Sequence, residues 1–150
     1  MSLETAFRQH LADSTPLTAL VSTRIVPLRG STKEAAPYIV YQVISRVSVH
    51  HATNPDGTTG ASGLAQTRVQ VRSVADTTLD ATALANAVRN RIQGYRGVLG
   101  SGANQLRCEY CTMENEFDDE PFQLEGSERY VYSRIQDFSI WHPESIPTLA

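Results

Sequence analysis

Apolar residues recur along this chain with the helical period in some stretches and the strand period in others. Leu3, Phe7, His10 and Leu11 fall on one face at helical spacing. Ser2 stands where an N-cap belongs, so a helix is expected through about Asp13. "STPLTALV" predicts a short second helix, with Pro16 in its first turn and Leu17, Leu20 and Val21 as its apolar positions. "TRIVPLR" predicts a short strand whose Pro27 suits a sheet edge. "YIVYQVISRVSV" (38–49) carries the strongest strand signal. Its first half is apolar on both faces, which predicts a central, covered position. "LAQTRVQVRSVA" (64–75) alternates. Ala65, Thr67, Val69 and Val71 share one face, and Gln66, Arg68, Gln70 and Arg72 the other.

Thr77 followed by Asp80 predicts a capped helix start. Ala81, Leu84, Ala85, Val88 and Ile92 form the stripe of that helix, and Gly94 suits its end. "RGVLGSGANQ" reads as a glycine-rich loop, "LRCEYCTM" (106–113) as a strand and residues 114–128 as a long acidic connection. "RYVYSRIQDFSIWH" (129–142) reads as a last strand. On it Tyr130, Tyr132 and Phe138 share a face with Arg134 and Gln136, and Trp141 lies on the other. The expected class is α+β, with a mostly antiparallel sheet of about five strands and helices on one face. Residues 1–142 are expected to form one domain, and residues 143–150 a flexible tail.

Composition narrows the function. The chain has 150 residues, 41% hydrophobic and 19% charged, with a net charge of -3. There is no general basic footprint for nucleic acid, and no apolar run approaches the roughly 18 residues of a membrane span. The first residues lack the pattern of a secretory leader, and two cysteines, Cys108 and Cys111, suit a reducing compartment. Twelve of the 13 cationic residues are arginine, which favours planar, two-pronged contacts at interfaces. Charge is also divided. Residues 1–100 hold 10 basic and 6 acidic residues (+4), and residues 101–150 hold 3 basic and 10 acidic (-7). Such a chain can associate head to tail with its own copies.

The candidate chemistry is thin. His50, His51 and Asp56 lie in "HHATNPDGTTGASG" (50–63), with His142 as a distant third imidazole, yet no ligand spacing joins them. The glycines of that segment, Gly57, Gly60 and Gly63, match neither dinucleotide nor phosphate loops, and the next predicted element is a strand. Asn54 through Gly57 is a turn signal. Cys108 and Cys111 are formally C-x-x-C, but in a continuous strand they would face opposite sides. The run Glu114, Glu116, Asp118, Asp119, Glu120 lacks calcium-loop spacing. No nucleophile motif is present, so no catalytic, metal or cofactor-binding residue is assigned.

The chain opens "MSLETAFRQHLADSTPLTALVSTRIVPLRG" and continues "APYIVYQVIS". It then reads "TRVQVRSVADTTLDATALANAVRNRIQGYRG" and closes "RIQDFSIWH". These stretches resemble the tail-completion family of long-tailed phages, prophages and gene transfer agents, which includes tail terminators (tail-to-head joining proteins). The resemblance covers roughly residues 1–142, and "LANAVRNRI" and "DFSIWH" are its most specific parts. It implies a structural virion protein and no enzyme. The expected protein is a small α+β subunit forming a ring, typically a hexamer, at the head-proximal end of the tail tube. It would be assembled in the bacterial host cytoplasm.

The partners implied are other copies of itself, the major tail tube protein and a head-closure or connector protein, with DNA only passing through the lumen. There is no membrane partner and no cofactor. The 50–63 segment departs from the family pattern. Contact residues are expected at His50, His51, Asn54, Asp56 and Gly57, at Arg68 and Arg72, and at Glu116, Asp118, Asp119 and Glu120. The rivals are a head-closure adaptor of the same neck and, more distantly, a small metal- or nucleotide-dependent enzyme using the 50–63 segment.

Overall fold

Apolar stripes and alternation become three helices and two sheets in a computed structural model, which describes residues 3–28, 36–49, 64–123 and 128–143. The expected Ser2 cap, the 50–63 segment and the tail beyond Pro143 lie outside these residues.

Helix α1 (Leu3–Ala12) buries Leu3, Ala6, Phe7, His10 and Leu11. Helix α2 (Thr15–Val21) starts with Pro16 in its first turn and buries Leu17 and Val21. Leu20, expected in its stripe, is 41% exposed, because a seven-residue helix has room for only one buried edge. Helix α3 (Thr78–Ile92) buries the five stripe residues read from the sequence. The Thr77 hydroxyl accepts the Asp80 backbone N–H at 3.1 Å, satisfying one of the donors a helix start leaves open.

The strands are β1 (Ile25–Pro27), β2 (Tyr38–Val49), β3 (Leu64–Ala75), β4 (Gly97–Ser101), β5 (Asn104–Cys108), β6 (Tyr110–Asp118), β7 (Phe122–Gln123) and β8 (Tyr130–Pro143). The main sheet runs β1-β2-β3-β8-β6, with β7 beside the first residues of β8. Only β1–β2 is parallel; the other pairs are antiparallel. Pro27 sits on the edge strand, where its missing N–H leaves no gap in a ladder. A separate hairpin pairs β4 with β5.

Three expectations change. The 96–105 stretch is the β4–β5 hairpin rather than a loop. Gly97, Gly100 and Gly102 take positive φ there, so the glycines shape strands and a turn. The 106–113 strand is two strands, broken at Glu109. The acidic connection begins as β6, paired to β8 through Asp118 with a register shift between Met113 and Asn115, and Phe122–Gln123 of it is β7. An edge strand facing water on one side needs little apolar alternation, which is why it read as loop.

Helix α3 packs on β3 and β8, and α1 packs on the β4–β5 hairpin. Between them lies a core of Phe7, Leu11, Leu17, Ile25, Ile39, Val69, Leu84, Leu99, Phe138 and Ile140, all at most 1% exposed. Each such side chain contributes roughly 1.5–3 kcal/mol of burial. A smaller cluster of Tyr38, Val74 and Val131, with Phe122 against it, covers one end of the sheet's opposite face. The expected covered position of β2 holds for its first half only. Tyr38, Ile39 and Tyr41 are buried, while Ile44 and Val47 are 43% and 56% exposed. No described helix is long and apolar enough to cross a membrane.

Candidate functional site

Strand alternation divides the sheet into two unlike faces. Ala65, Thr67, Val69 and Val71 are buried on one side of β3. Register places them beside His142, Ile140, Phe138 and Gln136 of β8. Gln136 Nε2 donates to the Ala85 carbonyl of α3 at 3.0 Å, which fixes this as the helix side. The face of β8 that carries Tyr130, Arg134, Gln136 and Phe138 packs into the core at Gln136 and Phe138, which are fully buried, and reaches solvent at its start, where Tyr130 is exposed.

The opposite face carries a polar network. Gln66 Nε2 donates to Ser139 Oγ at 3.1 Å, and Gln70 Nε2 to Asp137 Oδ1 at 3.1 Å. Arg68 approaches Asp137 at 3.9 Å, and Arg72 meets Asp119 at 3.3 Å. Both arginines remain more than a third exposed, so these pairs are screened and weakly stabilising. They orient the guanidinium groups across the sheet more than they hold it together.

Each end of the main sheet leaves a strand partly unpaired among the described residues. β1 ends at Pro27, and Leu28 N donates to the Tyr41 carbonyl at 3.0 Å. Beyond that point, residues 42–47 of β2 lie beside β3 with no second strand among the described residues. A groove of ≈ 530 Å³ opens there, lined by Glu4, Pro27, Leu28, Tyr41, Gln42 and Val43. At the other end, Gly94 and Tyr95 bond β6 at Cys111, and the Gln93 side chain accepts the Met113 N–H. Residues 114–118 pair only with β8.

The two edges differ in charge. β6 carries Glu114, Glu116 and Asp118 with no basic residue, and Asp119 and Glu120 follow it. β2 carries Arg46 and no acid. Arg8 and Arg24 bond the Ile25 and Pro37 carbonyls near its β1-paired part, and Glu4 lines the groove beside Gln42 and Val43. Arg134 joins Asp118 at 2.8 Å and Glu116 at 3.3 Å. The Arg134 hydrogen bond holds the Asp118 carboxyl below its ordinary range, so this carboxylate stays ionised at neutral pH.

The structure thus brings Arg72 to Asp119, and places Glu116 and Asp118 on one edge strand. His50, His51, Asn54, Asp56 and Gly57 lie outside the described residues, and with them the distant enzyme reading of the 50–63 segment. His142, the third imidazole, is buried with Nε2 2.8 Å from Thr67 Oγ1. Among the described residues no group of three or more His, Cys, Asp or Glu side chains is placed to hold a metal ion.

The C-x-x-C pair departs from expectation. The break at Glu109, whose N–H donates to the Trp141 carbonyl, turns both thiols inward. Cys108 Sγ and Cys111 Sγ lie 3.0 Å apart, both fully buried. His10, read only as a stripe residue, is 2% exposed and its Nε2 lies 3.3 Å from the Arg91 carbonyl. Arg91 Nε donates in return to the His10 carbonyl at 2.9 Å. Burial, reinforced by the Arg91 charge, lowers the His10 pKa to about 4. A polar residue on an otherwise apolar stripe was the one sequence signal for this clamp.

Comparison with known proteins follows this geometry. Residues 5–141 match the family model described as Tail completion protein gp17. A solved chain from the virion of a native gene transfer agent particle is similar in fold, with a TM-score of 0.63 and 19% identity over 95% of each chain. No curated protein matches.

Proposed function

The chain belongs to the Tail completion protein gp17 family, a family of structural phage-tail proteins, and from that premise we propose that it is a tail terminator. In this reading residues 1–142 form one tail-completion domain. Copies of it close into a ring, a hexamer, on the head-proximal end of the tube. One ring face matches the last tube ring. The other presents a different surface, which stops further addition and receives the head-closure protein, while DNA passes through the lumen.

The observation that carries the reading is the pair of sheet edges left open among the described residues, the β6 edge acidic and the β2 edge carrying Arg46. A heterologous contact joins two different surfaces of one chain and closes into a ring when its rotation permits. The strands of the main sheet from β2 to β6 alternate in direction, so β2 and β6 run oppositely. The β6 edge of one copy can therefore extend the sheet of the next as an antiparallel partner of its β2. The open stretches lie at different heights along the strands, since Gln42 is level with Asn115 through Gln70 and Asp137. Pairing thus needs an offset along the strands, which tilts each copy against its neighbour. Phe117 on β6, and Ile44 and Val47 on β2, supply exposed apolar surface at these edges.

The test is to add the purified chain to polymerising tail tube protein and image the tubes. The reading expects density at one end of each tube and arrested growth. Tubes that keep growing with bare ends would overturn it, and binding to connector protein alone would favour a head-closure adaptor.

A further inference from the structure

Two nucleophilic side chains, Cys108 and Cys111, lie outside the open edge stretches of β2 and β6. Their sulfurs lie 3.0 Å apart, closer than two unbonded sulfurs rest comfortably and about 1 Å beyond a disulfide bond. The backbone around them is held on three sides. Cys108 pairs with Gly97 in the hairpin, Cys111 with Ile140 in the main sheet, and Cys111 N donates to the Tyr95 carbonyl at 3.0 Å.

We propose that Cys108 and Cys111 are a disulfide-forming site, closed by oxidants of the low-molecular-weight disulfide class, that locks the corner between the hairpin and the main sheet. In the first step the Cys108 thiolate attacks one sulfur of the oxidant, forming a mixed disulfide and releasing one small thiolate. In the second, Cys111 loses its proton to solvent base, and its thiolate attacks Cys108 Sγ and expels the second small thiolate. Two protein thiols become one disulfide, and one small disulfide becomes two thiols, so electrons and protons balance. Cys108 is the first attacker because the Cys111 S–H bonds to its sulfur and favours its thiolate, while that bond and burial push the Cys111 thiol up. Both sulfurs are buried, so the oxidant enters only when the corner opens, and the reaction is slower than for a surface thiol. The pair is reduced wherever thiol buffers prevail and closed where they do not.

The experiment equilibrates the full chain with mixtures of oxidised and reduced glutathione, natively and in urea. Free thiols are then trapped by alkylation after acid quench and denaturation, and the intact mass is read. The expected result is a monomer short of both alkyl groups, with an equilibrium constant against glutathione about tenfold or more higher for the native than for the urea-unfolded chain. An equal or lower native constant, or loss of thiols only through chain-to-chain dimers, overturns the proposal. The wild-type chain alone decides it. The variants Cys108→Ser and Cys111→Ser are each expected to keep one thiol that is alkylated or carries glutathione.

Discussion

Acid should loosen the clamp between α1 and α3 through His10. His10 is neutral in the fold with a pKa of about 4, against about 6.5 when the chain is unfolded. Between these values the unfolded state binds the extra proton. The stabilisation is therefore fully present above pH 6.5 and is lost as pH falls toward 4. From those two values, the loss between pH 7.5 and pH 5 is about 2 kcal/mol. For a chain of this size that corresponds to roughly 4–8 °C in Tm. His10→Gln keeps an amide N–H for the Arg91 carbonyl and cannot titrate. Urea unfolding of both proteins at the two pH values gives the comparison. The variant should lose about 2 kcal/mol less than the wild type over that interval, whatever its own offset at pH 7.5. Equal acid losses in the two proteins would refute the assignment of a neutral, buried His10. Asp13 and Arg91 also face this site, and both are present in each protein, so the difference isolates the imidazole.

Gly100 holds φ +81, and a Cβ there would strike the Asn104 carbonyl of its own hairpin and crowd the Ala6 carbonyl of α1. Gly100→Ala should cost about 2–5 kcal/mol by urea unfolding, whereas Gly94→Ala, with open space around it, should cost about 1 kcal/mol. Thr77→Ala removes the α3 cap and should cost about 1 kcal/mol, read as a Tm decrease. Glu114→Lys with Glu120→Lys, or Val47→Lys alone, changes only exposed edge positions. Each should leave stability within about 0.5 kcal/mol while weakening self-association in sedimentation. Wild-type association should also weaken as salt rises, because the contact is between exposed charges.

Helix α3 was legible because two independent signals agree at one place. A side-chain cap opens it, and five apolar residues recur at its period. Strand β3 was legible for the same kind of reason, since strict alternation admits only one register of buried residues. The hairpin was not, because glycine signals both loops and tight backbone approach. Only the packing of α1 against Gly100 distinguishes these. β6 was missed because "ENEFD" has the composition of a solvated loop. Its strand character comes from pairing with β8, which no local window contains. The sulfur pair was hidden by a single residue, Glu109, whose bond to Trp141 breaks the strand. The edge charges, by contrast, were visible early as net +4 over the first two thirds and net -7 over the last third. The structure adds which strands carry them and that Arg134 and Arg72 already engage part of the acidic set.

The central claim is that this chain works as a closed ring of identical subunits. Its mass in solution, measured by native mass spectrometry over a range of concentrations, with and without tail tube protein, tests that directly. The account predicts a single discrete multiple of the 16.5 kDa chain that stops growing with concentration, either alone or once tube protein is added. A monomer under every condition, or an open series of sizes with no preferred multiple, would contradict it.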